Sequence, residues 1–401
     1  MTKPPTPHAR PVVVTHALRT PIGRFLGTLS PLSGVDLGVS VVTDLLGRAG
    51  LDPAAVDGTI LGMGRQAGSG PNPARQVAVR AGIPVERTAW TMNMACASGL
   101  KTLNLATLDI AAGRAEVMVV GGMESMTNLP HLLPGFRQGY RLGHSKVVDG
   151  MYKDGFDCPL AEEVMGGTAE TLAKQHGISR LEQDEFALGS QHKSQAARED
   201  GRTAEELSPV TVPGRKGDTV FSADEHCRDD ATIEGLAKLP TVFDKEHGTV
   251  TPGNASGITD GAAAMLVMSL DKANELGLEP LAHVGYQAEA GVDPKIMGIG
   301  PVPACREIER QSGLGVDAFD LIELNEAFAA QVLACDRELS LPMDRLNVNG
   351  GAISIGHPIG ATGARIAVTL LHELRRRDAE HGLATLCVSG GMGIATTFHR
   401  A

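Results

Sequence analysis

The sequence predicts an α/β fold with buried mixed sheets, built from two similar halves and interrupted by an insertion. Short apolar runs alternate with amphipathic helical patterns, a weak internal repeat links the two halves, and the stretch from about 128 to 256 has a different composition.

The apolar runs are Val12-Val13-Val14, Thr59-Ile60-Leu61, Val117 to Val120, Met265 to Met268, Leu321-Ile322 and Leu386-Cys387-Val388. Runs of this length without polar alternation suit strands covered on both faces. Helical patterns fall between many of them, over 37–48, 74–81, 99–112 and 364–375. Strands alternating with helices argue for an α/β architecture. The repeat reads reactive turn, helix, apolar strand, Gly-Gly-Met. Its first copy is the Cys96 turn, a helix and 116–123; its second is 356–360, a helix and 385–392. Duplication sets two similar strand–helix corners face to face, so both halves can contribute to one site. The insertion, about Asn128 to Ser256, is rich in charge and His, with a helical pattern over 180–197. It is expected to form a lid or a ligand-gripping subdomain.

Composition narrows the function. The chain has 401 residues, enough for two or three domains, and 42% apolar content, ordinary for a globular enzyme. A formal net charge of −11 argues against a general nucleic-acid or anionic-membrane surface, while leaving room for a local basic patch. The six cysteines are dispersed, with no C-x-x-C pair and no zinc-ligand spacing. Such usage suggests a reducing compartment. The segment from Met1 to Arg10 has three prolines and no apolar core, unlike a secretory signal. A cytoplasmic protein without a membrane span is expected.

Four segments carry chemistry. Cys96, in Asn93-Met94-Ala95-Cys96-Ala97-Ser98-Gly99-Leu100, sits between a strand end and a helix start. The helix dipole there is expected to favour thiolate and lower the pKa; the bland alternative is a small buried core residue. His357 lies in the Gly-rich segment Asn347 to Arg365, with Pro358 fixing the chain after it; a turn histidine bonded to backbone is the alternative. Cys387 ends a strand before Ser389-Gly390-Gly391, whose N–H groups can form an anion nest; the alternative is a core cysteine. Asn325 follows the strand at 321–324, and can equally be a helix cap.

Together these segments resemble the thiolase family along essentially the whole chain. The resemblance rests on NMACASGL at 93–100, GGMESM at 121–126, GNASGITDGAAA at 253–264 and GVDPKIMGIGPVPA at 291–304. It continues with ELNEAFAAQ at 323–331, NVNGGAISIGHPIGATGAR at 347–365 and CVSGGMG at 387–393. It implies a thiolase fold: duplicated βαβαβαββ halves in a five-layer α-β-α-β-α arrangement with an inserted loop domain. The implied divisions are 1–128 with 257–279, the insertion 129–256, and 280–401. Homodimers or homotetramers are implied, as is reversible Claisen chemistry on acetyl-CoA, CoA and 3-ketoacyl-CoA. These thioesters are substrates, and no cofactor or metal is expected.

By the same resemblance, Cys96 is the nucleophile, His357 takes its proton, and Cys387 is the base at the α-carbon, with a thiol pKa expected near neutrality. One oxyanion hole combines the His357 ring N–H with a water held by Asn325. The other uses the backbone N–H groups of Cys96 and Ser389. Coenzyme A and acyl contacts are implied for Arg228, Leu239, Phe243, Ser256, Met165, Met297 and Phe328. Val164 stands where the short-chain subfamily carries His, and Phe156 where it carries Leu, so a wider acyl range is expected. Ser389 replaces a frequent Gly and would be strained if its φ were positive. Two other readings compete: a decarboxylating ketoacyl synthase, which needs a second His or an Asn where Cys387 stands, and a non-catalytic thiolase-like binding subunit, which should have lost a reactive group.

Overall fold

A computed structural model describes residues 6–401; the expectation about the first residues falls partly on 1–5, outside the described residues. The first half runs β1 (Val12–Arg19), α1 (Gly34–Ala49), β2 (Gly58–Gly62), α2 (Pro73–Arg80), β3 (Thr88–Met92), α3 (Ser98–Ala111) and β4 (Val117–Ser125). The chain then leaves the sheet for an excursion containing α4 (Met165–Gln175) and α5 (Arg180–Glu199). It returns as β5 (Thr259–Ser269). The second half follows: β6 (Ala282–Gly291), α6 (Pro301–Ser312), β7 (Leu321–Leu324), α7 (Ala329–Leu339), α8 (Ile359–Arg377), β8 (His381–Val388) and β9 (Met392–Arg400).

The two halves have one topology. The first sheet is ordered β3-β2-β4-β5-β1, with β2 parallel to β3 and β4, and β5 antiparallel to β4 and β1. The second is ordered β7-β8-β9-β6, with β7 parallel to β8, and β9 antiparallel to β8 and β6. Leu346 adds a parallel bridge to Ile322 on the outer side of β7, in the place β3 holds in the first half. The sheets meet edge to edge through Val13↔His283 and Val14↔Ala282. The Gly-Gly-Met repeat is only partly structural. Gly121-Gly122 lie inside β4, whereas Gly390-Gly391 form the β8–β9 turn at φ 86° each.

Helices α3 and α8 form the middle layer. Their apolar residues, among them Leu100, Leu103, Ile366 and Leu370, share one core with Val14 and Met265 of the first sheet and Leu386 and Phe398 of the second. Outside it, α1 and α2 cover the first sheet through Val41, Leu45 and Val77. On the other side α6 and α7 cover the second through Val302, Ile308 and Val332. A helix buried all round needs apolar or small residues on every face; α8 has buried residues throughout 359–371. Glycine sets how closely the middle helices approach. A Cβ on Gly99 would stand 2.6 Å from the Ala364 nitrogen, and one on Gly363 would stand 2.5 Å from the Leu100 nitrogen. The start of α3 and the start of α8 therefore touch backbone to backbone, which brings the two reactive corners together.

Candidate active site

The Cys96 turn begins where β3 ends at Met92. Residues Ala95–Ala97 form a 3-10 turn that runs into α3. Ala95 has φ 46°, a left-handed conformation that costs a non-glycine residue energy. Side chains of the turn hold it there. Asn93 Oδ1 accepts the Ala95 N–H at 2.9 Å, and Ser98 Oγ accepts the Met94 N–H at 2.9 Å while donating to the Ala95 carbonyl at 2.7 Å. Cys96 stands at the apex, half-buried. Burial pushes its thiol up from the ordinary value; the Arg65 charge and the Ser389 N–H oppose this with less effect. The expectation of a lowered pKa is therefore corrected. Removal from water penalises the thiolate more than the helix start favours it, so Cys96 rests as a thiol and needs a base.

His357 is 7% exposed and precedes the N-terminus of α8. Its Nδ1 lies 2.6 Å from Thr362 Oγ1, and that hydroxyl gives its one proton to the Pro358 carbonyl at 3.0 Å. Nδ1 must then be the donor, leaving Nε2 as a bare lone pair in the neutral ring. Burial, with Arg365 and Arg65 adding to it, holds the imidazole pKa down to about 3, so the ring is neutral. This refines the expected oxyanion contact: Nε2 has no proton to offer until it has taken one.

Cys387, fully buried, ends β8. Burial, then the neighbouring Cys96 and Cys335, push its thiol well above the ordinary value. A thiol near neutrality was expected from the sequence; dehydration in the core overrides that too. Cys387 packs with Met297 and Ala327, and Met165 and Phe328 close over the group. Ser389 donates its N–H to the Cys96 sulfur and has no positive φ; Gly390 and Gly391 take the left-handed turn, so the serine is unstrained. Asn325 is no helix cap, because α7 starts only at Ala329. It is completely buried, and neither side-chain Oδ1 nor Nδ2 has a partner among the described residues. Buried amides normally find partners, so this one is suited to a water or a substrate oxygen. The next residue, Glu326, accepts from Ser190 Oγ (2.7 Å), Asn347 Nδ2 (2.9 Å) and the Ile353 N–H (3.1 Å), fixing the Asn325 segment to the Gly-rich loop.

A cavity of about 450 Å³ leads to these groups. Met165, Arg228, Phe243, Ser256, Phe328 and His357 line it, as do Phe156 and Val164. Its walls reach the sulfurs at two points: Met126 and Ile359 of the lining belong to the cluster Cys96 packs against, and Met165 and Phe328 cover Cys387. Phe243 meets Phe328 edge to face at 6.4 Å. Arg24 and Arg228 stand exposed at the cavity, beside His226, whose pKa burial and Arg228 lower to about 4. Two expected contacts lie off the wall. Leu239 packs behind Gly253, where an added Cβ would come 2.5 Å from its Cδ1, and Met297 sits one layer deeper, against Cys387. Among the described residues no group of His, Cys, Asp and Glu is arranged to hold a metal.

Sequence reasoning missed three residues. Thr362 orients His357. Glu124 is fully buried; its Oε2 accepts the Gly64 and Gly360 N–H groups at 2.9 Å each and Oε1 the Arg65 N–H at 3.2 Å, tying the first half to the start of α8. Burial raises its carboxyl pKa to about 7. Arg65 is a buried cation whose charge acts on Cys96. Glu124 at least stood inside a quoted motif, GGMESM; Arg65 had no signal.

Models of the thiolase N-terminal domain and the thiolase C-terminal domain match residues 12–271 and 278–400. The chain is 51% identical over 390 residues to an acetyl-CoA acetyltransferase of Cupriavidus necator, covering 97% of this chain and 99% of that one. It is 52% identical over 390 residues to an acetyl-CoA acetyltransferase of Pseudomonas aeruginosa, with the same coverage. Among solved structures, Bacillus anthracis acetyl-CoA acetyltransferase superposes with TM-score 0.96 at 44% identity, covering 98% of this chain and all of that one. Human mitochondrial 3-ketoacyl-CoA thiolase superposes with TM-score 0.94 at 40% identity, covering 98% and 99%. With its duplicated topology, its facing corners and these matches, the chain belongs to the thiolase family.

Proposed function

We propose that this acyltransferase catalyses reversible thiolysis and Claisen condensation of CoA thioesters through an acyl-enzyme on Cys96. One observation carries the reading: Cys96, under the Ser389 N–H and next to Cys387, packs against the Met126 and Ile359 wall of a cavity that His357 lines with an unprotonated Nε2. In thiolysis, His357 Nε2 takes the Cys96 proton and the thiolate adds to the 3-keto carbon. The bond between C2 and C3 breaks, and Cys387, a thiol at rest, protonates the departing C2 carbanion to give acetyl-CoA. CoA then gives its thiol proton to the Cys387 thiolate and attacks the Cys96 thioester, and the Cys96 thiolate that leaves takes its proton back from His357. Condensation runs the same steps backwards, with Cys387 removing the α-proton of acetyl-CoA.

The oxyanion at the keto carbon is within the chemistry of the Cys96 and Ser389 N–H groups. The thioester enolate suits His357 Nε2–H, once protonated, and a water on the unpartnered Asn325 amide. Arg24 and Arg228 supply positive charge for the CoA phosphates, and Met165, Phe243, Ser256 and Phe328 the wall for its pantetheine and acyl parts. Most of that wall comes from the 129–256 insertion. A ketoacyl synthase is disfavoured because a thiol, not a second imidazole, abuts Cys96. A non-catalytic subunit is disfavoured because all four reactive groups survive. The edge strand β3, with Trp90 38% exposed, offers a surface for pairing two copies. Six free cysteines fit a reducing cytoplasm.

Intact-mass analysis after mixing with acetyl-CoA tests the nucleophile. One acetyl adduct is expected on the wild type and none on Cys96→Ser. An adduct that persists in the variant contradicts the assignment.

A further inference from the structure

Glu124 is a buried acid held by amides rather than by a cation. It stands next to last in β4, a strand buried along its whole length, and is itself fully buried. A glutamate in such a place normally needs an ion pair, and Glu124 makes none among the described residues. Three backbone donors serve instead: the Gly64 and Gly360 N–H groups on Oε2 at 2.9 Å each, and the Arg65 N–H on Oε1 at 3.2 Å. The ionised carboxylate accepts all three. A proton on either oxygen would meet these donors and find no acceptor among them.

These donors belong to both corners of the site. Gly360 is the second residue of α8, and Pro358, the cap of that helix, offers it no side-chain bond. The next two N–H groups, of Ala361 and Thr362, go to the Pro358 carbonyl. Glu124 therefore supplies, from the first half, the cap that α8 lacks. Two residues after Gly360, Thr362 holds His357 Nδ1. On the other side, the Gly64 carbonyl accepts Asn93 Nδ2 at 3.2 Å, and Asn93 Oδ1 holds the Ala95 N–H of the Cys96 turn. One carboxylate thus joins the Cys96 turn to the His357 corner. The joint is close-packed: an added Cβ on Gly64 would stand 3.0 Å from Glu124 Oε2, and one on Gly122 would stand 2.0 Å from the Gly360 oxygen.

We propose that Glu124 is a positioning residue for the proton transfer between Cys96 and His357: its ionised carboxylate sets the two corners in register, and its neutral form releases them. The inference rests on the thiolase reading. Burial raises the carboxyl pKa to about 7, outweighing the Arg65 charge and the three N–H groups that lower it. The alignment is therefore present above that pH and lost as pH falls through it. Arg65 and Cys96 are the charged and titratable groups coupled to the carboxyl. Strand β5 sets Gly261 opposite it, and α8 presents the uncharged Gly360 N–H.

The test follows acetoacetyl-CoA thiolysis against pH on wild type, Glu124→Gln and Glu124→Asp, together with the rate of Cys96 alkylation by iodoacetamide. Wild-type kcat should show an acid limb at about 7. Glu124→Gln should lose that limb and about 10–100-fold in kcat, the scale of charged hydrogen bonds, with KM changed less than about 3-fold. Glu124→Asp keeps the charge one methylene short, so it should keep the limb and lose less. Alkylation at neutral pH should slow in Glu124→Gln. Faster alkylation there overturns the proposal, because the Glu124 charge raises the Cys96 pKa and its removal alone would free the thiolate. Wild-type kcat in Glu124→Gln, or an acid limb that survives in it, overturns the proposal too. If Glu124→Gln fails to fold, Glu124→Asp decides: wild-type kcat overturns the proposal, and a reduced kcat with KM and the limb kept supports it. Absence of thiolysis in the wild type defeats the thiolase reading, whereas thiolysis unaffected by Glu124→Gln defeats only the positioning role.

Discussion

The two corners that meet at the site, one at Cys96 and one at His357, share a topology and differ in what they expose. The Cys96 corner reaches its helix through a strained Ala95 and a 3-10 turn, which thrusts one short side chain toward the cavity. The His357 corner has Gly356 at φ 116° and Pro358 before α8, and it holds its ring on Thr362 inside the helix's first turn. The first corner offers a group that must be activated. The second offers a neutral ring with one lone pair ready. The second half adds Cys387 at the end of β8, where the first half continues β4 without a turn. Duplication thus supplied the geometry, and divergence at the tips set a different group at each, as the proposed division into nucleophile, base and α-carbon acid requires.

That division can be broken one corner at a time. The largest loss after removal of Cys96 itself is expected for His357→Gln, because the Cys96 thiol then has no acceptor. Thiolysis should fall by about 10²–10⁴, the usual range for a general base, while alkylation of Cys96 by iodoacetamide slows at neutral pH. Unaltered alkylation would remove His357 from the activation step. Next is Asn325→Ala, which removes an oxyanion donor framework worth about 10²–10³ in kcat. The acetyl adduct on Cys96 should still form there, and a variant that neither acylates nor turns over would show a broken fold rather than a lost oxyanion contact.

The smallest effect is on stability. The His357 imidazole is held at about 3 in the fold against about 6.5 when free. Below pH 6.5 the unfolded chain binds a proton that the fold refuses, so stability present above that pH is lost as pH falls toward 3. Glu124 and Glu323, raised to about 7 and about 8, act in the opposite sense and cancel in a comparison of variants. The stability of wild type relative to His357→Gln should therefore drop by up to about 1.4 kcal/mol per pH unit in that window. Denaturant melts at a series of pH values measure it, and a flat difference would mean the ring is charged in the fold.

Much of this was legible in the chain. Apolar runs located β1, β2, β4, β5, β7 and β8 but not β6 or β9, and periodicity located α1, α2, α3, α5 and α8, because burial on two faces or on one leaves a local pattern. Cys96, His357 and Cys387 stood out because each lies in or just before a turn too rich in small residues to be ordinary core. The signs of the cysteine shifts were not legible. They depend on how much water the assembled halves exclude, and that is settled by contacts such as Gly99 against Ala364 and Gly363 against Leu100, far apart in sequence. Arg65 and Glu124 were hidden for the same reason. The Gly-Gly-Met repeat misled, since one copy is strand and the other is turn.

The central claim is that Cys96 and Cys387 do separate jobs. The most direct measurement is deuterium exchange into the methyl group of acetyl-CoA in D2O, read by mass spectrometry on wild type and Cys387→Ala alongside the intact-mass adduct. Cys387→Ala should still carry one acetyl group on Cys96 and should lose methyl exchange. Exchange at the wild-type rate in Cys387→Ala would contradict the account.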